Sequence, residues 1–247
     1  MLTYQETIWK KENGFKIRKV QLDIKSIQAS ETVKDQRARI EKLSLVAFLN
    51  KKQKRNLINA SRRLKRNDND FYQNSSLHVT VLGFGPLDKT YYKTIQKRIQ
   101  EFSKKKRSAR LAVNFNTIRP GTPYSNNKKL NPLTGPSNGT VIALGHFDSN
   151  KEFCNYSNEL ALFLLKDKTI KSVLGSNFRK KIPSVWCTLG YYNKLRTFAI
   201  GNKLENIFKH YDNLRGNSFK FSISEISLVK SKYKNLRNPT ILYKFKV

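Results

Sequence analysis

The sequence predicts an α+β fold of two similar halves, arranged as one bilobal domain with a central groove. Three observations predict it. Short alternating apolar runs, the mark of half-buried strands, interleave with apolar residues at helical spacing. Their order is roughly β-α-β-α-β and then β-α-β-α-β-β. Between the two runs lies a long loop, since residues 119–139 hold four prolines and three glycines among Ser and Asn.

Residues 1–42 read as a basic N-terminal extension and residues 43–247 as the domain. The extension mixes Lys, Glu, Gln and Ser with weak alternation at Phe15, Ile17, Val20, Leu22 and Ile24, enough for a strand or two. Leu43 to Leu49 reads as a strand. Asn50 caps a helix in which Leu57, Ala60 and Leu64 recur, ringed by Lys51, Lys52, Lys54, Arg55, Arg62, Arg63, Lys65 and Arg66. A polar loop follows over 67–74. Leu77 to Phe84 is β-rich and stops at Gly85-Pro86. Asp88 caps a helix striped with Tyr92, Ile95, Ile99 and Phe102, and Lys104 to Arg107 put cations at its C-terminal end, which suits the dipole. Leu111, Val113 and Phe115 alternate as a strand. Past the loop, Thr140 to Phe147 is an apolar strand. Phe153, Tyr156, Leu160 and Leu164 mark a helix, and a further helical stretch covers 167–174. Val185 to Tyr191 is a short strand. Leu204, Ile207 and Phe208 mark a helix. Alternation at Phe219, Phe221 and Ile223, and again at Tyr243, Phe245 and Val247, ends the chain in two strands.

Charge narrows the function. Lys and Arg number 49 against 17 Asp and Glu, a formal charge of +32 on 247 residues. Such charge opposes compaction unless a polyanion neutralises it. Yet 38% of the residues are hydrophobic and 11% aromatic, so most of the chain should fold rather than form a disordered tail. Nucleic acid is the first partner this suggests and an anionic membrane surface the second. The longest clean apolar run, Leu160 to Leu165, is too short to span a bilayer, and Met1 to Lys10 has no secretory core. Two cysteines, Cys154 and Cys187, and three histidines cannot make a disulfide framework or a paired-Cys zinc site. The expectation is a reduced, intracellular, cytoplasmic setting, with nucleic acid as partner and no membrane, metal or cofactor.

The sharpest local signal is Leu77-His78-Val79-Thr80-Val81-Leu82-Gly83-Phe84. Side chains alternate along a strand, so His78 and Thr80 share a face. An imidazole moves protons near neutral pH, and a hydroxyl can donate to a phosphoryl oxygen. Alone, the pair is also what a half-buried strand histidine looks like. A second stretch, Ile182-Pro183-Ser184-Val185-Trp186-Cys187-Thr188-Leu189-Gly190-Tyr191, repeats the frame: aligning Thr188 with Thr80 puts Trp186 where His78 stands.

These two stretches resemble the paired His-x-Thr/Ser motifs of the 2H phosphoesterase superfamily, in its 2′-5′ RNA ligase-like branch. The resemblance extends over about 43–247. Leu45 to Phe48 is similar to the family's opening strand, Gly139 to Gly145 to its central strand, Phe178 to Thr188 to the approach to the second motif, and Ile226 to Ser231 with Tyr243 and Phe245 to the closing hairpin. It implies a bilobal, pseudo-two-fold fold: two antiparallel sheets with outer helices around a central groove. It implies two facing histidines, one taking a proton from a 2′-hydroxyl or water and the other giving one to the leaving oxygen. The hydroxyls, here Thr80 and Thr188, hold the phosphate. The implied substrates are 2′,3′-cyclic phosphates or 2′-5′ linkages in RNA, with no metal needed.

The chain departs from that pattern at Trp186. An indole N–H only donates and cannot serve as acid or base. Losing one such group typically costs about 10²- to 10⁴-fold. Trp186 reads equally as a stacking platform for a base or as core packing beside Val185 and Leu189. His146, at the end of its strand, is a possible substitute proton carrier or a strand-end histidine facing solvent; His210 reads as surface. Cys187 alternates with Trp186 and Thr188 and should be a buried core thiol. Arg179, Lys180 and Lys181 before the second motif, Lys194 and Arg196 after it, and Lys230, Lys232 and Lys234 could hold phosphates, or form a solvated basic face. Tyr191, Tyr192 and Tyr233 interleave with them and could stack on bases or fill the core. Arg119, Lys128 and Lys129 put charge on the loop, which could cover the groove.

Three readings follow. One is an RNA-binding 2H phosphoesterase-like protein whose two-histidine chemistry is lost or weakened, a pseudoenzyme candidate that holds RNA phosphates in a basic groove. The second is an active, metal-independent RNA 2′,3′-cyclic phosphodiesterase or 2′-5′ RNA ligase-like enzyme using His78. The third is a structural component of a ribonucleoprotein particle.

Overall fold

The computed structural model describes residues 3–9, 18–23, 37–67, 71–106, 111–120, 140–175, 178, 184–192, 219–233, 236 and 238–247. The helix expected at Leu204, Ile207 and Phe208 and the loop from 121 onward lie outside them. Along the chain come β1 (Thr3–Trp9), β2 (Arg18–Asp23), β3 (Arg37–Phe48), α1 (Lys51–Asn67), β4 (Phe71–Gln73), β5 (His78–Gly85), α2 (Thr90–Lys105), β6 (Leu111–Asn114) and β7 (Thr117–Pro120). There follow β8 (Thr140–His146), a 3-10 turn (Asp148–Asn150), α3 (Lys151–Leu164), α4 (Lys168–Leu174), β9 (Ser184–Tyr192), β10 (Lys220–Ile223), β11 (Glu225–Tyr233) and β12 (Thr240–Lys246).

Two four-stranded antiparallel sheets organise these elements, in the orders β12-β11-β3-β5 and β4-β9-β8-β7. Two smaller pairs, β1-β2 and β10-β6, complete the strands. Each large sheet carries one motif strand, β5 or β9. The halves are not consecutive blocks of sequence, however. The first sheet takes β11 and β12 from the end of the chain, and the second takes β4 from between α1 and β5.

One continuous core joins both sheets and all four helices. Leu43, Leu45, Val79 and Val81 from the first sheet meet Val141, Ala143, Cys187 and Leu189 from the second. The helices add their predicted stripes: Leu57 and Leu64 from α1, Ile95 and Ile99 from α2, Leu160 and Leu164 from α3. Each such side chain removed from water contributes about 1.5–3 kcal/mol. Phe102 of α2 seats its ring edge-on against Tyr156 of α3, with centroids 5.3 Å apart. The helix starts follow the sequence. The Asn50 carbonyl accepts from Lys54 N at 2.9 Å, opening α1. Asp88 Oδ1 accepts from Thr90 N at 2.9 Å, which holds its carboxyl below the usual range. No helix among the described residues is long and apolar enough to cross a membrane.

Three local expectations need correction. The opening strand begins at Arg37, not Leu43, because β11 is long enough to pair with its polar start: Arg37 opposes Tyr233 and Lys42 opposes Ser231. The segment 67–74 is not all loop, since Phe71–Gln73 pairs with Tyr192–Gly190 and Phe71 is fully buried. Three residues are too few to show a period. The loop expected from 119 also starts late: Arg119 and Pro120 oppose Ile142 and Val141 at the edge of the second sheet, where a proline lacking N–H is tolerated.

The end of β8 is held by a close approach. A Cβ on Gly145 would lie 2.2 Å from the Asn114 carbonyl oxygen and 2.5 Å from Asn150 Nδ2. The buried Asn150 amide donates to that carbonyl at 2.9 Å and accepts from Asn114 N at 2.7 Å. The side chain thus bonds to β6 as a neighbouring strand would, and only glycine leaves it room.

Candidate active site

The two motif strands have the same local form. In β5, His78 and Thr80 are partly exposed while Val79, Val81 and Leu82 are buried; in β9, Trp186 and Thr188 are partly exposed while Cys187, Leu189 and Gly190 are buried. The backbone explains the break in alternation. Val46 opposes Thr80 and Leu45 opposes Leu82, so Val81 is skipped. Ile142 opposes Thr188 and Val141 opposes Gly190, so Leu189 is skipped. Both strands therefore bulge one residue after the threonine, a device that re-aims side chains beside functional sites.

The strands touch one another. The Cys187 thiol of β9 lies close enough to the His78 backbone of β5 to be influenced by it, and burial pushes that thiol up to about 12. Cys187 is the buried core thiol expected, and it cannot act as a thiolate near neutral pH. A second link is Asn74, at the end of the segment 67–74 expected to be a polar loop. Its backbone N–H donates to the Leu189 carbonyl at 2.8 Å. Its buried amide donates to the Thr188 carbonyl at 3.0 Å and the Ser76 carbonyl at 3.2 Å, and accepts from Ser76 N at 3.1 Å. That last contact is an Asx turn, for which Asn74-Ser75-Ser76 ahead of a strand was the available signal.

The Ser76 carbonyl in turn lies 2.7 Å from His78 Nδ1. A carbonyl only accepts, so Nδ1 carries the proton and the neutral ring keeps its lone pair on Nε2. Burial lowers the His78 pKa below its ordinary value; the Ser76 carbonyl opposes this and the Lys54 charge adds to it. The ring is therefore neutral at pH 7. Phe48, its cross-strand partner, meets it edge-on at 6.2 Å. The two strands thus present one neutral imidazole with a set tautomer, two hydroxyls at matching positions, and a half-buried indole at the position that matches His78.

The remaining candidates divide. Tyr191 lies in β9 opposite Thr140 and Tyr72, and His146 lies in β8 opposite Ser184, so both share the Trp186 sheet. Arg179, Lys181 and Arg196 lie outside the described residues, as do Lys180, Lys194, His210 and Lys234. Lys230 was a candidate phosphate holder, but its Nζ lies 3.6 Å from Glu41 Oε1, so its charge is already partnered. Among the described residues, no three His, Cys, Asp or Glu side chains cluster as metal ligands.

No family model matches the chain, and no curated protein matches its sequence. Solved structures do match. TT0787 of Thermus thermophilus aligns at a TM-score of 0.51 and 14% identity, covering 83% of this chain and 97% of that one. E. coli LigT complexed with NADP+ aligns at 0.48 and 11%, covering 85% and 99%. Kluyveromyces marxianus Usb1 with uridine monophosphate aligns at 0.43 and 11%, covering 84% and 98%. With two antiparallel sheets, a motif strand in each and the TT0787 match along most of its length, the chain shares the fold of TT0787, a two-sheet α+β arrangement of the kind its motif resemblance implies.

Proposed function

We propose that this protein is an RNA-binding member of the 2H phosphoesterases in which two-histidine chemistry is weakened to one proton carrier, His78. The observation that carries this is the shared frame of β5 and β9 with His78 in one and Trp186 in the other. Residues 43–247 are the working domain, and residues 1–42 an extension whose last residues continue β3. In this reading Thr80 and Thr188 donate hydrogen bonds to phosphoryl oxygens. Trp186 stacks on a base, a contact worth about 1–3 kcal/mol. Arg179, Lys181, Tyr191 and Arg196 add charge and a ring beside the second motif, and the net charge of +32 favours any polyphosphate.

The neutral Nε2 of His78 favours residual activity over pure binding. It takes a proton from a water that attacks the phosphorus of a 2′,3′-cyclic phosphate. One ring P–O bond breaks, and the leaving oxygen takes its proton from solvent rather than from a second imidazole. Strain in the five-membered ring keeps that step feasible without the second acid.

The test is turnover of a short RNA ending in a 2′,3′-cyclic phosphate, wild type beside His78→Ala. Turnover that falls by about 10²- to 10⁴-fold in the variant establishes His78 as the base. His146→Ala then asks whether His146 supplies the second proton. No turnover by either, with salt-dependent binding by both, makes the site a binding module. Neither turnover nor binding overturns the proposal.

A further inference from the structure

The densest charge in the described structure belongs to neither motif. It lies on α1, whose 17 residues include eight Lys or Arg and no carboxylate. Every exposed side chain among the described ones of the helix is a cation or an amide. At 100° per residue, Lys51, Arg55, Arg62 and Arg66 fall within about 60° of arc and span about 22 Å along the axis. Leu57, Ala60 and Leu64 occupy the opposite, buried side. Lysines in the first turn also oppose the helix dipole, so helix stability does not account for their placement.

The position of α1 gives the charge a use. The helix leaves β3 beside the first motif, where Leu49 N donates to the Leu77 carbonyl at 3.1 Å. It then packs against β4 and β9, the sheet of the second motif. Its Lys54 acts electrostatically on both His78 and Cys187. The cationic face therefore starts at the junction of the two motif strands and runs away from it. The corresponding helix after β8, α3, carries Glu152 and Glu159 against Lys151.

We infer that the exposed face of α1 is a track for the phosphate backbone of an RNA strand, holding the nucleotides that flank the one at His78. The choice of RNA rests on the function proposed above. Three arginines in the stripe suit phosphate, because the guanidinium fork matches its oxygens. An anionic membrane fits less well, since the exposed face offers no apolar side chain to insert. The substrate class this implies is an oligonucleotide rather than a mononucleotide.

The test compares wild type with the Lys51→Ala/Arg55→Ala/Arg62→Ala/Arg66→Ala variant, since alanine preserves helix propensity. Binding of a 15-nucleotide oligouridylate and of a uridine trinucleotide is measured across a salt series. The variant is expected to lose roughly 10²-fold in 15-mer affinity near physiological salt, with a salt slope shallower by about 2.8. Its trinucleotide binding should stay within about twofold. If circular dichroism shows that variant unfolded, Arg62→Ala/Arg66→Ala alone should flatten the slope by about 1.4. Unchanged 15-mer affinity and slope overturn the inference. So does binding to phosphatidylserine–phosphatidylcholine vesicles that the variant abolishes while 15-mer binding persists. A 15-mer loss in the α1 variant, with no effect of His78→Ala or Trp186→Ala on turnover or trinucleotide binding, overturns the site reading and leaves the track standing.

Discussion

β5 and β9 repeat one another over five residues in exposure and share a bulge after the threonine, yet one presents an imidazole and the other an indole. Their surroundings differ in the same direction. The helix after β3 is cationic throughout, and the helix after β8 is mixed. Backbone frame and chemistry are thus separable. Pairing with β3 and β8 sets where the four side chains stand, and the residue type alone sets what each can do. In the function proposed above, that separation lets the two threonines hold a phosphate from both strands while protons move from the His78 side only.

Restoring the missing base is the strongest way to break the asymmetry. Trp186→His should raise turnover of a 2′,3′-cyclic phosphate RNA by about 10²-fold or more, measured as initial rate. No gain would show that β9 does not place its residue as β5 does. The frame itself is tested next. Gly145→Ala drives a Cβ into a backbone carbonyl and should destabilise by about 1–3 kcal/mol or more, read by chemical denaturation. Asn74→Ala removes the side-chain donor to the Thr188 carbonyl, one of two donors to the Ser76 carbonyl and the acceptor of Ser76 N–H, and should remove about 1–3 kcal/mol. It should also loosen His78, so turnover falls together with stability.

The pH profile sharpens the comparison from the imidazole side. The His78 pKa is lower folded than unfolded, so the unfolded chain takes up its proton first as pH falls. Its stabilising contribution is complete above the ordinary histidine value of 6.5 and is lost as pH drops below it. His78→Ala should flatten that acid limb of the stability curve, and the acid limb of kcat/KM in the wild type should lie below pH 6.5. The smallest effect concerns the thiols. Burial pushes Cys154 and Cys187 up to about 12, so iodoacetamide at pH 8 should label neither until the protein unfolds.

Several features were open to reading in the one-dimensional pattern. Leu57, Ala60 and Leu64 did face the core, as did Ile95, Ile99 and Phe102. His78 and Thr80 shared a face, as did Trp186 and Thr188, and Cys187 turned inward. Each follows from a period of 3.6 or 2 applied to a single element. What escaped was pairing between distant segments. Phe71–Gln73 is a strand only because β9 offers it an edge, and Asn74 matters only because Thr188, 114 residues away, presents a carbonyl to it.

The sequence by itself determined the types of the strongly periodic elements, the two threonines, the histidine and the tryptophan, because local periodicity and residue chemistry need no distant partner. It also determined the charge. Only the tertiary structure decided that β11 and β12 close the first sheet, that β4 joins the second, and that α1 packs against β4 and β9 so that its cations start beside the two motif strands. Those choices depend on which buried faces meet when loops close, and loop closure depends on the whole chain rather than on any window of it.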